Sequence, residues 1–116
     1  MITTYSVTNQ GSVSILHVNG KLTTVETPNF SHQMIDLLNN TEMSLLLIDF
    51  ATTDFVASSG FRELFTVGRE LRRRGSQLAV CNLNGDVKRI FEVAEFQSSY
   101  PVYASIEEGI ASLSIR

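Results

Sequence analysis

The 116-residue chain is 43% hydrophobic and 18% charged, enough apolar material for one folded core and too little polar bias for a disordered linker. A formal net charge of −3 leaves no broad positive field for counterion-release binding, so nucleic acid is not an expected partner. The single cysteine, Cys81, can form neither an internal disulfide nor a cysteine metal cage and fits a reducing cytosol.

The first ten residues, MITTYSVTNQ, lack the basic and apolar regions of an export signal. No run approaches the roughly 20 apolar residues of a bilayer span. The expectation is a cytoplasmic chain that does not insert into membranes, with residues 1–116 forming a single domain.

Residues Ile2 to Thr8 and Ser12 to Val18 are rich in β-branched side chains and flank Asn9-Gln10-Gly11, which predicts an N-terminal hairpin. Alternation holds for Val13 and Ile15, then Leu16 and Val18 shift phase, as in a strand covered on both faces or carrying a bulge. Next, Thr23 and Glu26 have capping-box spacing while Thr27-Pro28 offers a second helix start. Phe30, Met34, Leu37 and Leu38 follow as one apolar stripe ending at Asn39-Asn40. The unbroken run Leu45 to Ile48 reads as a central strand buried on both faces.

From Ser58 to Arg74, Phe61, Leu64, Phe65, Gly68 and Leu71 share a helical face, and Gly75 supplies a left-handed cap. Gln77 to Asn82 reads as a strand. Val87, Ile90, Phe91 and Ala94 form a third stripe opened by Asn84 or Asp86. A loop at Phe96 to Ser99 and a short strand near Tyr100 to Tyr103 lead into a last helix, opened by the capping box Ser105-Ile106-Glu107-Glu108. The order ββαβαβαβα implies an α/β fold: an open, mixed but mostly parallel sheet with an N-terminal hairpin and four helices. Function in such sheets gathers at the carboxyl ends of the strands, where Asp49 to Gly60 leaves the central one.

Four stretches in this order carry a family resemblance: Gly20-Lys21-Leu22, Leu47-Ile48-Asp49-Phe50, Ser58-Ser59-Gly60-Phe61 and Val87-Lys88-Arg89-Ile90-Phe91. Together they make the chain resemble a STAS domain, the fold shared by bacterial anti-sigma factor antagonists and the cytoplasmic tails of sulfate transporters. The antagonists carry Asp-Ser-Ser/Thr-Gly, and the hydroxyl residue before the glycine is phosphorylated by a serine kinase that is also the anti-sigma factor.

By position, the resemblance makes Ser59 the acceptor, and Ser58 is expected to cap the helix. Thr53, Asp54, Ser58, Ser59, Gly60 and Arg62 are the expected partner footprint. The implied partners are a serine kinase or anti-sigma factor and a PP2C-type phosphatase. The implied function is a partner-switching regulator released on phosphorylation. The alternative is a non-switching subunit of a transporter or signalling scaffold complex.

Two positions depart from the pattern. Ala57 replaces the usual aspartate, which either softens the repulsive part of the switch or makes Ser59 a poor kinase substrate. Glu95 stands where glycine is common, so the loop after the third helix is expected to close differently. His17 and His32 lack ligand-spaced partners, Arg72 to Arg74 suit a helix C-terminus, and Asp49 and Asp54 lack a companion nucleophile. No metal, cofactor or catalytic residue is therefore expected.

Overall fold

A computed structural model describes residues 2–115. β1 (Thr4–Gln10) and β2 (Val13–Asn19) form the hairpin, then α1 (Thr27–Asn40), β3 (Leu45–Thr52), α2 (Ser58–Arg73), β4 (Gln77–Cys81), α3 (Gly85–Val93), β5 (Val102–Tyr103) and α4 (Ile106–Ala111) follow. The five strands lie side by side in sequence order, with β1 antiparallel to β2 and the remaining pairs parallel. This is the expected α/β architecture.

The hairpin sits later than the sequence reading placed it. Gln10 pairs with Val13, so the turn is Gly11-Ser12, and Asn9 and Gln10 belong to the strand. Gly11 takes φ +58°, the positive value that a two-residue hairpin turn demands at its first position.

Of the two expectations for β2 the first holds, and the bulge lies on its neighbour. β2 is covered on two faces, and one extra residue on β3 shifts the register between His17 and Asn19. On β3, Leu46, Ile48 and Phe50 face a large core under α1, α2 and α3. Leu45 and Leu47 face a smaller one shared with Val13, Ile15, Ala79 and Cys81 and flanked by Ile106 and Ile110 of α4.

Helix starts follow the expected chemistry in part. Thr23 Oγ1 does accept the Glu26 amide at 3.2 Å, but it closes a turn ahead of the helix, which starts at Thr27 with Pro28 second. The Glu26 carboxylate accepts from the Tyr5 hydroxyl at 2.7 Å instead of completing the box. At α4, Ser105 Oγ accepts the Glu108 amide, while the Glu108 carboxylate reaches the Ala104 amide, one residue outside the box.

α2 ends as expected: Gly75 at φ +81° lets the Gly75 amide reach Arg72 O and the Ser76 amide reach Leu71 O. Arg73 and Arg74 pair with Glu70, and Arg74 also donates to Leu38 O at the end of α1. The arginine run is thus absorbed by structure.

After α3 the stripe narrows to Val87 and Phe91, with Ala94 exposed at the helix cap. Phe96 is no part of an open loop. It is fully buried in a 3-10 turn and meets Phe61, Phe65 and Phe91 edge-on at ring separations of 5.5, 5.4 and 4.9 Å. Glu95 explains the glycine preference at its position. It takes the left-handed conformation, φ +55° and ψ 40°, so the loop keeps the backbone that glycine favours at a cost on the order of 1 kcal/mol.

Gly68 lets α2 approach the sheet edge, because a Cβ there would sit 2.4 Å from Tyr100 Cζ. Gly68→Ala must push the tyrosine ring away and should destabilise the fold by about 1–3 kcal/mol, read as a lower denaturant midpoint with an unchanged slope.

Candidate functional site

Two loops meet at the carboxyl edge of the sheet. The connection from β2 to α1 passes the connection from β3 to α2, and Leu22 joins them. Its amide donates to Phe55 O at 2.8 Å, and its carbonyl accepts from the Ala57 amide at 2.7 Å. Leu22 and Val56 thereby form a one-residue parallel bridge, and both side chains are buried. This stitch aims the start of α2 at the start of α1.

The residue before α2 is Ala57, in extended conformation and without a side-chain cap bond. Ser58 is therefore the first helical residue and not the cap, and its side chain is exposed. Ser59 is half-buried and its Oγ lies 2.7 Å from Thr27 Oγ1. Gly60 is buried: a Cβ there would lie 3.5 Å from Val56 and 3.9 Å from the Thr27 hydroxyl. Phe61 packs edge-on against Phe91 at 4.9 Å, which anchors the helix start in the large core.

The expected footprint divides accordingly. Ser58, Ser59 and Arg62 share the first turns of α2, with Ser58 and Arg62 exposed. Asp54 is exposed and pairs with Lys21 Nζ at 3.0 Å. Thr53 does not belong to the surface. It is 1% exposed, and its hydroxyl donates to Val18 O at 2.8 Å, tying β3 to β2 where the register shifts. Gly60 likewise offers no side of its own to a partner.

Sequence reading missed two apolar residues on the same edge. Val25 is 89% exposed and Phe55 43% exposed, one on each of the stitched loops. Their only sequence signal was an apolar residue within a polar connection, a common occurrence that does not single them out.

On the other face of the sheet, at the ends of β2, β3 and β4, a polar network surrounds Asp49. Its Oδ2 lies 2.7 Å from His17 Nδ1, and its Oδ1 accepts from Asn82 Nδ2 at 2.8 Å and the Ala51 amide at 3.0 Å. His17 Nε2 in turn lies 2.9 Å from Thr8 Oγ1. Asn82 reaches the carboxylate from a left-handed backbone, φ +61°. The network links four neighbouring strand regions below the loops. Burial opposes ionisation of Asp49, but the hydrogen bonds from Asn82, His17 and Ala51 outweigh it and hold the carboxyl below its ordinary 3.8.

The family model for the STAS domain matches residues 4–109. The chain belongs to the STAS domain family. A curated relative named as a candidate anti-sigma factor antagonist, BtrV of Bordetella bronchiseptica, is 31% identical over 67 residues, which span 58% of this chain and 58% of the relative. An anti-sigma factor antagonist from Mycobacterium paratuberculosis has a similar structure, with TM-score 0.85 at 19% identity, covering 96% of this STAS chain and 93% of that one. The phosphorylated form of the Bacillus cell fate determinant SpoIIAA superposes with TM-score 0.72 at 14% identity, covering 95% and 99%. These two structural likenesses are likenesses of fold. Among the described residues of the STAS domain, no helix is long and apolar enough to cross a membrane.

Because folding lowers the pKa of Asp49, its contribution is complete above the ordinary carboxylate value and disappears as pH falls through the lower folded value. Asp49→Asn should lower stability at neutral pH by about 1–3 kcal/mol and flatten the acid limb of a stability-against-pH curve measured by denaturant unfolding.

Proposed function

We propose that this STAS domain is an anti-sigma factor antagonist acting by partner switching in the cytoplasm. Unphosphorylated, it binds a serine kinase that doubles as an anti-sigma factor; phosphorylation of Ser59 releases it, and a PP2C-type phosphatase restores the hydroxyl. The chain itself performs no catalysis. The observation that carries the reading is the position of Ser59: in the first turn of α2, at the rim of the sheet, on a helix start without a side-chain cap. The name of the relative BtrV supports the same role.

The physics suits a switch that leaves the scaffold intact. A phosphate beside a helix start meets unpaired amides and the positive end of the macrodipole, an interaction worth about 0.3–1 kcal/mol when exposed. Arg62, three residues further along, is within reach on the same side of the helix. Phosphorylation adds roughly −1.5 to −2 charges and three acceptor oxygens where a partner had met a small hydroxyl. Docking over that site then requires burying a dianion. A differential of about 5.5 kcal/mol converts a nearly full complex into a nearly empty one.

Phe55 and Val25 supply the apolar anchor that such a partner surface needs, and Ser58, Asp54 and Arg62 its polar surround. Ala57 places no carboxylate beside the acceptor, which removes one like charge from the phosphorylated state. The hydrogen bond between Ser59 and Thr27 is also one that a structural serine makes. A partner indifferent to Ser59 would assign the domain to a transporter or signalling scaffold as a non-switching subunit.

The test is binding of a serine kinase of the anti-sigma factor class, by calorimetry, to wild type, Ser59→Ala and Ser59→Asp. Ser59→Ala should bind like wild type and Ser59→Asp at least about tenfold more weakly; equal affinity for all three overturns the switch. Incubation with that kinase and ATP should add one phosphate to the intact mass of wild type and none to Ser59→Ala. Phe55→Ala should weaken binding about tenfold while leaving the thermal midpoint within a few degrees of wild type.

A further inference from the structure

Ser59 is engaged in the resting domain. Its Oγ lies 2.7 Å from Thr27 Oγ1, which also lies 3.1 Å from Thr23 O. Either hydroxyl can donate in the shorter bond, and whichever does, the bond ties the Ser59 oxygen to Thr27. The Ser59 Oγ therefore points inward, across the seam between the starts of α1 and α2. Thr27 is 8% exposed and held by its own backbone, whose amide also bonds Thr23 O.

We infer that Thr27 latches Ser59 in an inward rotamer, so that the first residue of α1 sets how quickly the acceptor hydroxyl is delivered to a kinase. The inference rests on the reading of Ser59 as the phosphorylation site. Transfer from ATP forms a bond between Ser59 Oγ and the γ-phosphorus as the bond from that phosphorus to the bridging oxygen of ADP breaks. The serine proton leaves to a base on the kinase. In this inference the kinase takes the hydroxyl from the outward rotamer, so the bond to Thr27 is broken before transfer.

Thr27→Val is a selective probe, because Thr23 O keeps the amides of Glu26 and Thr27 as donors when the hydroxyl is lost. Thr27→Ser retains the latch and serves as the conservative control. Two readouts separate this inference from the reading beneath it. The first needs no kinase: three-bond Hα–Hβ couplings of Ser59 by NMR should report one dominant rotamer in wild type and Thr27→Ser, and averaged couplings in Thr27→Val.

The second is the initial rate of phosphate incorporation with the serine kinase used above. Thr27→Val should be phosphorylated about fivefold faster than wild type, the factor expected from one neutral hydrogen bond, with Thr27→Ser near wild type. Wild-type couplings in a folded Thr27→Val protein would overturn the latch, as would an unchanged rate. Absence of phosphate on every variant would overturn the acceptor assignment, and the latch's role in delivery with it. Should Thr27→Val fail to fold, the couplings of Thr27→Ala take its place under the same criteria.

Discussion

The site depends on the stitch at Leu22. Two backbone hydrogen bonds, to Phe55 O and from the Ala57 amide, make neighbours of loops that leave different strands. Because Leu22 and Val56 are buried beneath them, the bonds are shielded from water and the loops share one base. Everything of functional interest is referred to that base: Val25 and Phe55 on its outer side, Thr27 and Ser59 across its seam, and Lys21 paired with Asp54 at its edge. The aromatic cluster around Phe61 and Phe96 secures α2 immediately behind the serine.

The elements that could be read from sequence are those whose pattern is local. Leu45 to Ile48 shows no alternation because both faces of β3 are covered, and that cause is visible in the residues themselves. The stripe of α2 and its Gly75 ending are equally local, since a helical face and a left-handed cap each span a few residues. The hairpin turn was displaced because the reading grouped Gly11 with the polar residues before it, whereas the chain turns at Gly11 and the residue after it.

The site was legible in outline and not in detail. The serine pair leaving a buried strand lies, as expected, at the carboxyl edge of the sheet. Ser58, however, was read as a cap on the strength of a statistical preference, while the chain uses Ala57 and leaves the serine outside. Thr53 looked like a surface residue because it is polar and lies beyond the strand. A carbonyl of β2, 35 positions away, takes its hydroxyl into the interior. Thr27 and Ser59 are 32 positions apart, and only the stitched loops bring them together. The Asp49 network is of the same kind, assembled from Thr8 and His17 by strand register and from Asn82 by the left-handed turn after β4.

The two sides of the sheet are unequally clothed. Three helices and the aromatic cluster cover one side, whereas the other relies on α4 and its neighbours over six fully buried residues. Gly109 brings that short helix close to Leu47, a fit that holds only while the helix stays seated. Amide exchange should therefore rank the segments, with α4 opening at low free energy and the centre of β3 exchanging only on global unfolding. That short helix closes the back of the sheet, across from the large core in which α2 and its serine are anchored.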